Sequence, residues 1–229
     1  MKFFTLLKKE LRDSLPWIFF VIILLFAISW FMISMKAYSL RNWPYSPIKN
    51  GTIVGLDNIF REDILLESAV LMFFLSILLG LALGYTHFWM PFFRKTWQLL
   101  IHRSVTRSAI IASKLSAAAI VMICLSLAWL LLAGSAGMSR RVIIPPDSGI
   151  VRLGVFYAFL GFIVYMATAL CALTKARWYT TKLLGLFFGF VIYIIIISQA
   201  YISRALFISI LAFIVLIVQL YQTFIKREF

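Results

Sequence analysis

The chain has 229 residues, of which 63% are hydrophobic and only 13% charged, with a mean hydropathy of +1.01. Soluble domains carry roughly 45–50% apolar and about 25% charged residues, so a soluble enzyme, a disordered tail and a fibrous protein are excluded and a helical integral membrane protein is expected. The net charge of +14 comes from 22 Lys and Arg against 8 Asp and Glu; because these cations lie between apolar runs, they read as flanks of membrane spans and not as a nucleic-acid surface.

In chain order, residues 1–16 are expected to form an amphipathic interfacial helix. Phe3, Phe4, Leu7, Leu11 and Leu15 share one face, and Lys8, Lys9, Arg12 and Asp13 lie on the other. Pro16 should end this helix or bend it into the first span. A spanning helix needs about 20 mostly apolar residues, and six stretches qualify: 17–35, 68–90, 115–133, 153–173, 183–201 and 205–225. The last two share one apolar run, with a tight turn expected at Ser198, Gln199, Ser203 and Arg204. The first run is too long for a signal peptide and no A-x-A site follows it, so it reads as a retained span. Uninterrupted apolar runs also exclude a β-barrel, whose strands alternate. The chain is thus read as one all-α, polytopic transmembrane domain, 1–229.

With the N-terminus in the cytoplasm, 14 of the 22 basic residues fall inside and 8 outside. That bias places both termini in the cytoplasm, and the expected location is a plasma membrane, the bacterial inner membrane. The outer segment 36–63, with Trp43, Pro44, Tyr45 and Pro47, is expected to be ordered in part or to rest on headgroups; its Asn50-Gly51-Thr52 is a weak glycosylation pattern.

Much chemistry is missing. No G-x-x-x-x-G-K-[ST] stretch is present to cradle ATP, and neither G-x-S-x-G nor H-E-x-x-H occurs. Cys124 and Cys171 lie inside apolar runs and read as packing residues. None of the six spans contains Asp, Glu, Lys or Arg, which argues against an ion-coupled carrier. His87, among Tyr85, Thr86, Phe88 and Trp89, reads as an interfacial residue of an aromatic belt; contact with substrate or proton sensing is the alternative. The chain is therefore not expected to be an enzyme, and any work it does is driven from outside it.

The segment 91–114 contains Thr96, Trp97, Leu99, Leu100, Arg103, Val105, Thr106 and Arg107, followed by Lys114. Around Trp97 to Arg103 this makes a short helical face with both apolar and basic groups. Such a face suits a groove on a soluble partner, although a solvated basic loop has the same composition.

The order Thr96-Trp97, Leu99-Leu100, Arg103-Ser104-Val105-Thr106-Arg107, Lys114, together with six spans and a basic amphipathic N-terminus, resembles the ABC-2 type transporter permeases. Arg94-Lys95 stand where that family has an acid and a Gly, Trp97 stands for its Leu and Ser104 for its Pro. The resemblance implies the ABC-2 (type V exporter-like) architecture and a permease subunit of an ATP-driven exporter. It further implies two copies of an ABC ATPase subunit carrying the ATP and Mg, a second permease, identical or homologous, and a loop 94–114 that couples to the ATPase. This chain itself would hold no cofactor and no metal.

Gly80 and Gly84, and Gly185 and Gly189, form two G-x-x-x-G pairs, in the second and fifth spans. Such pairs let helix backbones approach closely, within one subunit or between two. With Phe187 and Phe188 they are candidates for a dimer or cavity face. A cavity of such phenylalanines would suit a lipid, a hydrophobic peptide or an amphipathic drug. Competing readings are a haem-exporter-type permease and a membrane scaffold or assembly factor that transports nothing. A lipid-modifying enzyme would need a polar catalytic cluster, which the sequence does not offer.

Overall fold

The structure of the chain, a computed structural model, describes residues 2–41, 56–94, 106–137, 148–174 and 202–226, and five residues between these last two segments: Phe187, Phe190, Val191, Ile194 and Ile195. All regular structure among the described residues is helical. α1 is Lys2–Arg41 and α2 is Leu56–Gly84; α2 runs on through a π-helical turn, Tyr85–Trp89, into the short α3, Met90–Phe93. α4 is Arg107–Gly137, α5 Ser148–Leu173 and α6 Ile202–Lys226. Five stretches among the described residues are helical, long and apolar enough to cross a membrane: Phe3–Met32, Leu66–Trp89, Arg107–Gly134, Ser148–Leu173 and Ser203–Ile225. The chain is accordingly a multi-pass membrane protein. Five of the six expected spans fall on these helices, whereas span 183–201 lies outside the described residues apart from the five named above, which are helical.

α5 is the centre of the bundle. Every residue from Leu160 to Leu173 is buried, and a helix that is apolar on all sides belongs in such a position. Its small residues Gly154, Ala158, Gly161 and Ala169 let neighbouring helices come close. α2 makes the broadest contact with it. A β-carbon on Gly161 would stand 2.6 Å from the Ser76 carbonyl oxygen of α2, and one on Gly84 would stand 2.6 Å from Thr168 Cβ. One on Gly80 would strike the Gly161 carbonyl oxygen. The first G-x-x-x-G pair is thus spent on packing within this chain. On the other side Trp129 of α4 lies over Gly154, and its indole N–H donates to the Val151 carbonyl at 3.2 Å.

The helices extend past the expected spans, and several boundaries move. α1 does not split into an interfacial helix and a span: it continues through Pro16, which supplies no N–H to the Arg12 carbonyl but leaves the helix unbroken. Its buried stripe is Glu10, Ser14, Ile18, Val21, Leu25 and Ser29, whereas Phe4 and Leu15 of the expected apolar face are exposed. Ser203 and Arg204, expected in a turn, lie exposed in the first turn of α6. α1 reaches Arg41 and α2 starts at Leu56, so much of the expected outer segment 36–63 is helix; Trp43, Pro44, Tyr45, Pro47 and Asn50 to Thr52 lie outside the described residues.

Replacing Gly161 with Leu should destabilise the bundle by about 1–3 kcal/mol or more, because both helix backbones block relief of the clash. Gly134, with nothing within 4 Å of its would-be β-carbon, is the control: Gly134→Ala should leave stability unchanged or raise it by up to about 1 kcal/mol. Thermal unfolding of the detergent-solubilised chain, followed by size exclusion, reads both.

Candidate functional site

At the end of the bundle where Lys8, Lys9, Arg12 and Arg94 are exposed, four helical segments meet around a buried polar cluster. Lys114, in the second turn of α4, donates from Nζ to Glu10 Oε1 of α1 at 2.8 Å. Lys114 is 1% exposed and Glu10 5%. The other carboxylate oxygen, Oε2, lies 3.8 Å from His87 Nε2. His87 belongs to the π turn after α2 and is fully buried. The Lys114 ammonium also stands 5.7 Å from the Phe88 ring centre, in reach of its negative face.

Two hydroxyls complete the cluster. Ser14, one turn beyond Glu10 on α1, donates to the Glu10 carbonyl at 2.7 Å. Its single proton is thereby used, so His87 Nε2, 2.9 Å away, acts as the donor to Ser14 Oγ. Nδ1 of the same ring faces the Tyr165 hydroxyl of α5 at 3.2 Å. That hydroxyl donates to the Lys114 carbonyl at 3.2 Å. Glu10, Ser14, His87, Lys114 and Tyr165 thus bind α1, the π turn, α4 and α5 into one junction.

The geometry follows from the local sequence. In a regular helix each residue turns about 100°, and the wider π turn changes which side the residues after Gly84 face. His87, Phe88 and Trp89 are all buried there, and the Trp89 indole N–H donates to the Thr168 carbonyl at 3.3 Å. α4 starts with two backbone N–H groups, of Ala109 and Ile110, on the Thr106 carbonyl at 3.0 and 3.3 Å. Arg107 then reaches across the end of the bundle and donates to the Ile225 carbonyl of α6 at 2.8 Å. A cation at the carbonyl end of a helix is favoured by its dipole, and this contact ties α6 to the same end.

Of the expected coupling residues, Thr106, Arg107 and Lys114 are described; Thr96, Trp97, Leu99, Leu100, Arg103 and Val105 lie outside the described residues. Lys114 is not the last residue of a loop: it is a core residue of α4. His87 is likewise no member of an interfacial belt. The absence of charge from the expected spans does not carry over to the helices, since Glu10 and Lys114 lie inside the apolar stretches of α1 and α4. Opposite charges that neutralise each other can be buried where either alone could not. Glu10 was missing from the sequence-based candidates, although it continues the stripe Ile18, Ser14 backwards at intervals of four. Of the candidate dimer or cavity residues, Gly80 and Gly84 face α5, Phe187 is exposed, and Gly185, Phe188 and Gly189 lie outside the described residues. Among the described residues no three His, Cys, Asp or Glu come together as metal ligands. Comparison of the chain with protein-family models, curated proteins and solved structures gives no match.

Removing one charge leaves the other buried and unpaired. Glu10→Leu alone or Lys114→Met alone should cost roughly 3–5 kcal/mol, and the double variant should recover most of that loss. Thermal unfolding in detergent measures all three. Losses that simply add in the double variant would show that the two side chains do not act as a pair.

Proposed function

We propose that the chain is the permease subunit of an ATP-driven exporter of the ABC-2 type, without nucleotide chemistry of its own and moved by a separate ATPase through its 94–114 segment. The observation that supports this reading most is the position of the buried junction. The helix before the segment ends at Phe93, shortly after His87 and Trp89, and the helix after it starts at Arg107, two turns before Lys114. A force on that segment therefore acts on both sides of one ion-paired core, and through Glu10 on α1. Rigid helices joined in this way move as bodies and do not flex individually, as alternating access requires. ATP binding supplies energy insofar as the ATPase dimer prefers one of the two states.

A sixth crossing belongs to this reading. Tyr165 places the second half of α5 beside Lys114, and the Arg107 contact places the end of α6 at the same end of the bundle. α6, at about 1.5 Å per residue, begins at the opposite end. In this reading the chain returns between the two through its apolar stretch 183–201, with Gly185, Gly189, Phe187 and Phe188 toward a second permease or a central cavity. Both termini then lie on the cytoplasmic side of a bacterial inner membrane, with two ATPase subunits beneath two permeases. The cargo proposed is a hydrophobic or amphipathic molecule.

The test is purification from native membranes. An ATPase chain with a phosphate-binding P-loop should accompany the wild-type protein in equal amount. Arg103→Glu should lower its recovery by roughly tenfold or more through charge repulsion, with the unfolding temperature unchanged. Arg103 is the better probe because Arg107 already holds α6. Recovery of the chain without any ATPase, or an Arg103→Glu variant that keeps it, rejects the reading in favour of a membrane scaffold.

A further inference from the structure

The face of α1 that turns away from Glu10 borders a groove of about 720 Å³ against α4, within the roughly 300–1,000 Å³ usual for small-molecule sites. Its walls are uneven in character along the helix axis. Toward the start of α1 they carry Lys8, Lys9 and Arg12, all with exposed side chains, among the apolar Phe4, Leu7 and Leu11. Farther along they are apolar: Leu15 and Ile18 of α1 face Ile120, Val121 and Cys124 of α4. Three exposed cations beside an apolar groove match an amphiphile with an anionic head. The acid nearest the rim in sequence that could neutralise it, Glu10, is turned inward and held by Lys114; Asp13, exposed on the same helix, does not line the groove. Leu15 and Ile120 are partly exposed, so the apolar end is accessible from the side.

We propose that this groove is a binding site for one anionic phospholipid of the surrounding bilayer, its phosphate on Lys8, Lys9 and Arg12 and an acyl chain along Leu15, Ile18, Ile120 and Cys124. The lipid is a resident of the α1–α4 seam and not the cargo, so the site stands independently of the transport reading. Each cation near an anionic headgroup contributes about a fivefold preference, equivalent to about 1 kcal/mol, and three of them set a charge-selective site.

Cys124 is a built-in reporter, because it lines the groove and is only partly buried, whereas Cys171 is buried in α5. The full chain in neutral detergent is titrated with phosphatidylglycerol, with phosphatidylcholine and with glycerol phosphate, while native mass spectrometry counts retained lipid and a small permeant thiol reagent labels Cys124. The expected result is one retained phosphatidylglycerol, favoured at least tenfold over phosphatidylcholine, with slowed labelling of Cys124 and no protection by glycerol phosphate. Neutralising the rim in a Lys8→Gln, Lys9→Gln, Arg12→Gln variant should remove the preference without lowering the unfolding temperature in detergent. Filling the channel with Cys124→Phe should reduce retention of both lipids. Equal retention of the two lipids, protection of Cys124 by glycerol phosphate, or a rim variant that keeps the preference would overturn the proposal.

Discussion

Glu10 and Lys114 stand 104 positions apart in the sequence and 2.8 Å apart in the fold. Each carries a charge into a setting that water does not reach, and neither can be left there alone without a penalty of several kcal/mol. The pair therefore fixes how far α1 is advanced relative to α4. Once that register is set, the remaining polar atoms have few choices. Ser14 comes level with His87, the π turn presents the imidazole between Ser14 and Tyr165, and Tyr165 closes on the backbone of α4. The charge pair adds a directional constraint between α1 and α4 to the close, position-specific packing of the rest of the bundle.

How much of this the sequence discloses differs from element to element. The apolar runs at 68–90, 115–133, 153–173 and 205–225 are long enough that hydrocarbon thickness alone determines them, and each lies on a helix. Helix ends are less legible. Residues 107–114 and 1–16 contain cations, so composition assigns them to the aqueous margin, although the backbone continues through both. The candidate junction was hidden for a related reason. Charge counting treats Lys114 as one more flanking cation and cannot see that a carboxylate from α1 answers it. A trace was nevertheless present: the inward positions Val21, Ile18 and Ser14 project back at helical spacing onto Glu10. The candidate residues from 96 to 105 rest on their resemblance and not on geometry.

α1 serves two environments at once. One side of its first four turns is dry and polar, with Glu10 and Ser14 in the junction. The other side is greasy and basic, with Leu11, Arg12 and Leu15 along the seam with α4. An amphipathic pattern in a membrane protein is thus no guide to which side faces the protein. The exposed side carries the cations Lys8, Lys9 and Arg12 together with the apolar Phe4 and Leu15, whereas the side toward the protein runs from Glu10 and Ser14 into Ile18, Val21 and Leu25.

The π turn at Tyr85–Trp89 has a consequence for how this chain tolerates changes of length. A π turn is an α-helix holding one surplus residue. A single-codon deletion within 85–89 would let the backbone revert to its tighter pitch. Met90 to Arg94 would then keep nearly the facing they have now, because the rotation lost with one residue is regained as the wide turn tightens. The turn is thus a slack link in the span: loss of a residue there spares the heading of the emerging chain, whereas the same loss in the regular helix before it would rotate everything beyond by about 100°.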